Sequence, residues 1–61
     1  MRFEEIEEIV LADGWTFKTA KGAHRQYVHP TKPGKVVIPC HTGDISKIVV
    51  KSVLKQAGIE R

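Results

Sequence analysis

Trp15-Thr16-Phe17-Lys18-Thr19-Ala20-Lys21-Gly22-Ala23-His24-Arg25-Gln26-Tyr27-Val28-His29 is the stretch that decides the fold of this chain. Residues 15–19 alternate apolar and polar side chains, the period of a half-buried strand. Lys21-Gly22 then marks a turn, and His24 to His29 reads as a second strand. Because successive side chains of a strand point to opposite faces, His24, Gln26 and Val28 share one face and Arg25, Tyr27 and His29 the other. Each face carries one apolar residue, so either could point inward.

The flanking sequence completes a pattern around this hairpin. Pro30-Thr31-Lys32-Pro33-Gly34 contains Pro-Gly, the pair favoured at the centre of a type II turn. A second hairpin is therefore expected to lead into Lys35-Val36-Val37-Ile38, a short β-branched strand that Pro39 ends because it cannot donate to the ladder. Upstream, Phe3, Ile6, Ile9 and Val10 recur at helical spacing between glutamates, so residues 3–13 read as an amphipathic helix closed by Gly14. No Ser, Thr, Asp or Asn precedes Phe3 to cap it. Downstream, Asp44 or Ser46 can cap a second helix, whose apolar face is Ile48, Val49, Val50, Val53, Leu54 and Ala57 and which Gly58 terminates. The order α-β-β-β-α predicts an α+β fold, with two helices on one face of a three-stranded antiparallel sheet, in a single domain spanning 1–61.

Size and composition limit what such a chain can do. A fold of roughly 60 residues buries only about 60% of the surface its unfolded chain exposes. Trp15, Phe3, Phe17, Tyr27 and the aliphatic residues supply one modest core, so a deep cavity of about 300 Å³ or more is not expected. Cys40 is the single cysteine, which excludes an intrachain disulfide and fits a reducing compartment. No charged segment followed by an apolar one opens the chain, and no run approaches the ~18 apolar residues of a membrane span. A soluble, cytoplasmic protein with no membrane partner is the expectation.

The formal net charge of +3 conceals an asymmetry. Residues 1–14 carry Arg2 against Glu4, Glu5, Glu7, Glu8 and Asp13, a net of −4; residues 15–61 carry nine Lys and Arg against Asp44 and Glu60, a net of +7. A concentrated positive field attracts polyanions through counterion release. Lys47, Lys51 and Lys55 add a ridge at i, i+4 and i+8 on the second helix, a spacing at which like charges repel. A phosphate backbone or an acidic protein partner would relieve that repulsion, although lysines also simply fill the solvated face of many amphipathic helices.

Cleavage of RNA makes few demands on a small protein. The RNA supplies its own nucleophile, the 2′-OH. The protein must accept its proton, stabilise charge on phosphorus and protonate the leaving 5′-oxygen. His24, just after the Gly22 turn and flanked by Lys21 and Arg25, meets that demand without a metal. The other constellations are weaker. His24, His29, Cys40 and His41 contain no Cys-x-x-Cys or His-x-x-x-His pairing for zinc, and the adjacent Cys40 and His41 point to opposite sides of extended chain. No metal, cofactor or phosphate-cradling glycine loop is called for.

Gly22-Ala23-His24-Arg25-Gln26-Tyr27, His29-Pro30, Val37-Ile38-Pro39-x-His41-x-Gly43-Asp44 and Lys51-Ser52-Val53-Leu54-Lys55-Gln56-Ala57-Gly58-Ile59, with Asp13-Gly14-Trp15 ahead of them, together resemble the HicA family of mRNA interferase toxins. The resemblance covers nearly the whole chain. It implies a double-stranded-RNA-binding-like fold, ribosome-independent and metal-independent endoribonuclease activity on mRNA with His24 as the essential acid/base, and a HicB-type antitoxin as partner. Lys21, Gly22, Arg25, Lys47, Lys51 and Lys55 are then the candidates for holding RNA. Tyr27, His29 and His41 are possible helpers in proton transfer. The chain departs from the family where Ala23 replaces the usual small polar residue and Ile48-Val49 replaces a frequent glycine-threonine pair. A noncatalytic RNA-binding module and a pure protein-interaction domain are the alternatives, separable by cleavage of RNA and by affinity for it at low salt.

Overall fold

The computed structural model, which describes residues 1–40 and 42–59, contains α1 (Phe3–Ala12), β1 (Thr16–Lys21), β2 (His24–Val28), β3 (Val36–Pro39) and α2 (Lys47–Gln56). The strands form one antiparallel sheet in the order β1-β2-β3. This is the α-β-β-β-α order expected from the sequence. The strand ends differ from expectation: β1 begins at Thr16 and not Trp15, β2 ends at Val28 and not His29, and β3 begins at Val36 and not Lys35. β1 continues through Ala20 and Lys21 because both pair with β2, and β3 includes Pro39, the Cα partner of His24. Proline is tolerated there because β3 is an edge strand.

Tyr27 settles which face of β2 points inward. Its ring is fully buried in a cluster with Phe3, Ile6 and Val10 of α1, Val36 and Ile38 of β3, and Val53 and Ala57 at the end of α2. Both helices therefore cover the same face of the sheet. The phenol of Tyr27 donates a short hydrogen bond to Glu7 Oε2, and Arg25 Nη1 meets the same oxygen at 3.1 Å. A buried hydroxyl left without a partner would cost on the order of 1–3 kcal/mol, so the carboxylate on α1 is what allows a tyrosine rather than a phenylalanine here. Period two then sends His24, Gln26 and Val28 to the opposite face. Among the described residues, no helix covers that face.

The helix ends are built by means the sequence showed only in part. At the start of α1, Glu5 Oε1 accepts the backbone N–H of Arg2 at 2.9 Å, which compensates for the lack of a small polar cap. At its end, Gly14 N–H bonds to Leu11 and Trp15 N–H to Val10, the pairing of a Schellman motif. α2 closes in the same way through Gly58 and Ile59, and Ser46 Oγ caps its start by accepting Val49 N–H at 3.3 Å. The Ile48-Val49 pair therefore does not leave this helix uncapped.

A second junction lies at the far end of the sheet. The connection after β2 does not turn tightly; residues 29–35 span it, and Gly34 has the positive φ of +83° that the Pro-Gly signal anticipated. Within it, His29 Nδ1 accepts the backbone N–H groups of Thr31 and Lys32, both at 3.1 Å, while Nε2 lies 2.9 Å from the carbonyl oxygen of Asp13. Those partners fix one tautomer, with the proton on Nε2. Trp15 packs edge-on against the same imidazole and donates from Nε1 to the Asp13 carboxylate and the Ala57 carbonyl. Lys32 Nζ reaches both acceptors too, which places a cation at the C-terminal end of α2. One loop thus ties the ends of both helices together.

This junction makes two predictions. Gly14 has φ +106°, and a Cβ there would stand 2.7 Å from His29 Nε2, whereas Gly34 shares the positive φ but has nothing within 4 Å. Gly14→Ala is therefore expected to destabilise more than Gly34→Ala, by at least about 1 kcal/mol beyond the backbone strain both share. Equal urea midpoints for the two variants would refute the close approach. Separately, the hydrogen bond from Lys32 holds the Asp13 carboxyl below its ordinary value. Its contribution to stability is complete above about pH 4 and is lost as pH falls through the lower folded value. Asp13→Asn should be less stable than wild type at neutral pH, and the gap should close in acid unfolding series; a constant gap across pH would contradict the pairing.

Candidate functional site

Gly22 and Ala23 form a two-residue loop between β1 and β2. Gly22 has φ +58° and Ala23 does not share the positive sign, so the loop is of the II′ kind that places glycine first. This geometry makes Lys21 and His24 direct cross-strand partners. Their Cα atoms face each other across a separation of about 5 Å, with both side chains on one face. Cys40 N–H donates to the Ala23 carbonyl, so the turn is also held from the end of β3. His24 is thereby flanked by Lys21 on one side and Pro39 on the other. Its imidazole is exposed and has no hydrogen-bond partner among the described residues.

The sequence candidates separate into three places. Lys21, Gly22 and His24 come together at this exposed turn. Arg25 does not join them. It lies on the helix side of β2, paired with Glu7 and with its guanidinium over the rings of Phe3 and Phe17 at 5.5 and 5.1 Å. Lys47, Lys51 and Lys55 are exposed along α2 in the helix layer, across the sheet from His24. Beside them Ile48, read as part of the apolar face, is instead 83% exposed.

The candidate helpers divide too. Burial, and then the hydrogen bond to Glu7, raise the Tyr27 phenol well above its ordinary value, and the group faces away from His24. Both nitrogens of His29 are engaged in the loop junction. His41 lies outside the described residues. Cys40 is exposed as a free thiol. An open groove of about 450 Å³ between Met1, Glu5, Glu8, Ile9 and Ala12 runs along α1 and contains none of these residues.

One irregularity on this face escaped the sequence reading. The register of β1 against β2 slips between Phe17 and Thr19, leaving Lys18 as an extra residue. Simple alternation would put Phe17 and Thr19 on one side. The bulge instead lets Phe17 pair with inward-facing Tyr27 while Thr19 pairs with outward-facing Gln26. The only sequence hint was Phe17-Lys18-Thr19-Ala20-Lys21, in which one apolar side chain and two polar ones would otherwise compete for the same face.

The profile of a family described as HicA toxin of bacterial toxin-antitoxin matches residues 3–59, so that both helices and all three strands fall within the match. The chain belongs to the HicA toxin family. A search among curated proteins found no match to it. Membership makes the protein the toxin of a toxin-antitoxin pair and implies an antitoxin partner. The matched range includes the Lys21–His24 turn, the strands of the sheet and the α2 lysines.

The Arg25 pairing is testable apart from function. Arg25→Met and Glu7→Gln should be non-additive in urea unfolding, the double variant losing less than the two single losses combined. Additive losses would show that the pair contributes nothing to the fold.

Proposed function

We propose that this HicA toxin is an mRNA interferase, a ribosome-independent and metal-independent endoribonuclease in which His24 is the acid/base group, and that a HicB-type antitoxin neutralises it. The observation that carries this reading is the exposed His24 imidazole beside Lys21, on a sheet face that no helix covers among the described residues, in a chain of a toxin family. Neutral His24 accepts the 2′-OH proton as O2′ attacks the adjacent phosphorus. The O2′–P bond forms and the P–O5′ bond breaks. The electron pair leaves with O5′, which takes up a proton from water, the His24 imidazolium returns its proton to solvent, and the products are a 2′,3′-cyclic phosphate and a 5′-hydroxyl. RNA carries both nucleophile and leaving group, so what the protein supplies is proton transfer and stabilisation of charge.

Lys21 supports the reading through charge. Its ammonium, across the hairpin from His24, is positioned to stabilise the negative charge that builds on the phosphoryl oxygens. Gly22, with no side chain at the tip of the turn, lets a phosphate approach the backbone closely. Arg25, already committed to Glu7, is assigned to positioning β2 and not to direct contact with RNA. The α2 lysines act from the other layer, as a long-range positive field that raises the encounter rate and falls with salt.

Purified wild type and His24→Ala, matched by circular dichroism, should differ in RNA cleavage by roughly 10² to 10⁴-fold. Induction of the wild type alone should arrest growth of a host cell. Equal cleavage by both proteins removes His24 from the chemistry. Retention of RNA by wild type with no cleavage selects the alternative, a noncatalytic RNA-binding module.

A further inference from the structure

The bulge at Lys18 has a consequence for what lies next to His24. By restoring outward direction to Thr19 and Lys21, it builds two adjacent cross-strand pairs on the open face: Lys21 with His24, and Thr19 with Gln26. Bulges of this kind re-aim side chains and occur preferentially beside active sites. The Thr19 hydroxyl and the Gln26 amide have no hydrogen-bond partner among the described residues, and both side chains are half-buried. Val37, the partner of Gln26 on its other side, is also half-buried and gives the row an apolar flank. A polar pair with its bonding capacity unspent, set between a reactive imidazole and apolar surface, is suited to reading a base.

We infer that Thr19 and Gln26 recognise the base adjacent to the scissile phosphate in single-stranded RNA. This rests on the reading of His24 given above. Gln26 lies two residues from His24, an advance of about 6.7 Å along the strand, which is the scale of one nucleotide step in an extended single strand. A glutamine amide offers a donor and an acceptor side by side and matches adenine best. Thr19 supplies a hydroxyl that can both donate and accept. Single-stranded RNA is favoured over duplex because its unstacked bases present their edges to a flat surface, whereas the major groove of an A-form helix does not admit side chains. Positive charge from Lys21 beside the row fits a polyanion, and the row is continuous with the His24 site.

The test uses the full chain with His24→Ala, so that bound RNA stays intact, and short single-stranded RNA oligonucleotides with and without adenine. On titration, the Gln26 side-chain amide and Thr19 backbone amide resonances should shift. Gln26→Leu in the same background should weaken binding of the adenine-containing oligonucleotide roughly tenfold and leave the adenine-free one unchanged. Thr19→Val, close in shape, gives a second variant if Gln26→Leu disturbs the fold, and it should narrow the same preference. Resonances that stay fixed at saturating RNA, shifts confined to α2, absence of RNA binding, or equal loss for both oligonucleotides would overturn the assignment. Cleavage is read separately with the natural His24 in place. Loss of adenine preference in binding supports the base-reading pair even if wild type leaves RNA uncut, which would instead defeat the catalytic reading.

Discussion

The hydrogen bond from Tyr27 to Glu7 is the constraint on which the arrangement of this domain depends. It joins the middle strand to the first helix inside the core, and it lets the largest aromatic ring of β2 be buried with its hydroxyl satisfied. Strand geometry does the rest. Once Tyr27 points inward, Arg25 must follow it and His24 and Gln26 must point away. Arg25 completes the same cluster through Glu7 and two aromatic rings, so the inward face of β2 is given to folding. The outward face carries His24 and Gln26, the residues of the proposed site.

Two of the histidines illustrate the same division. His29 is fully employed: its acceptor nitrogen gathers the backbone of the β2–β3 connection, and its other nitrogen meets the carbonyl at the end of α1. Gly14 is required there both by its backbone conformation and by the imidazole that would meet a side chain. Among the described residues, the His24 side chain has no such partner. It sits next to a turn set by Gly22, with its imidazole exposed, where a substrate phosphate could approach without displacing part of the fold. Among the described residues, it is the exposure of the imidazole that gives access.

Much of the fold was legible because long-period patterns survive tertiary packing. Phe3, Ile6 and Val10 marked α1, and Val53 and Ala57 marked the buried side of α2. Gly14 and Gly58 marked the helix ends. The direction of β2 was not legible, since Val28 and Tyr27 offered one apolar residue to each face, and the decision lay with Glu7, seventeen or more residues away. The bulge at Lys18 was hidden for a related reason: alternation in residues 15–19 reads the same with or without a slipped register. At the site, the local cluster of Lys21, Gly22 and His24 was readable from the turn. Arg25 and the α2 lysines, also read as residues that hold RNA, lie apart from this cluster, because adjacent residues of a strand alternate faces and the lysines sit in the helix layer.

In the proposed reaction His24 serves a cleavage whose nucleophile is the RNA's own 2′-OH. The most direct measurement is to give wild-type protein two otherwise identical oligonucleotides, one all-ribose and one with a single 2′-deoxynucleotide at the mapped cleavage site. The first should be cleaved to a 2′,3′-cyclic phosphate and a 5′-hydroxyl, and the second should not be cleaved at that site. Cleavage of both at the same bond, or a 5′-phosphate on the product, would contradict the proposed reaction.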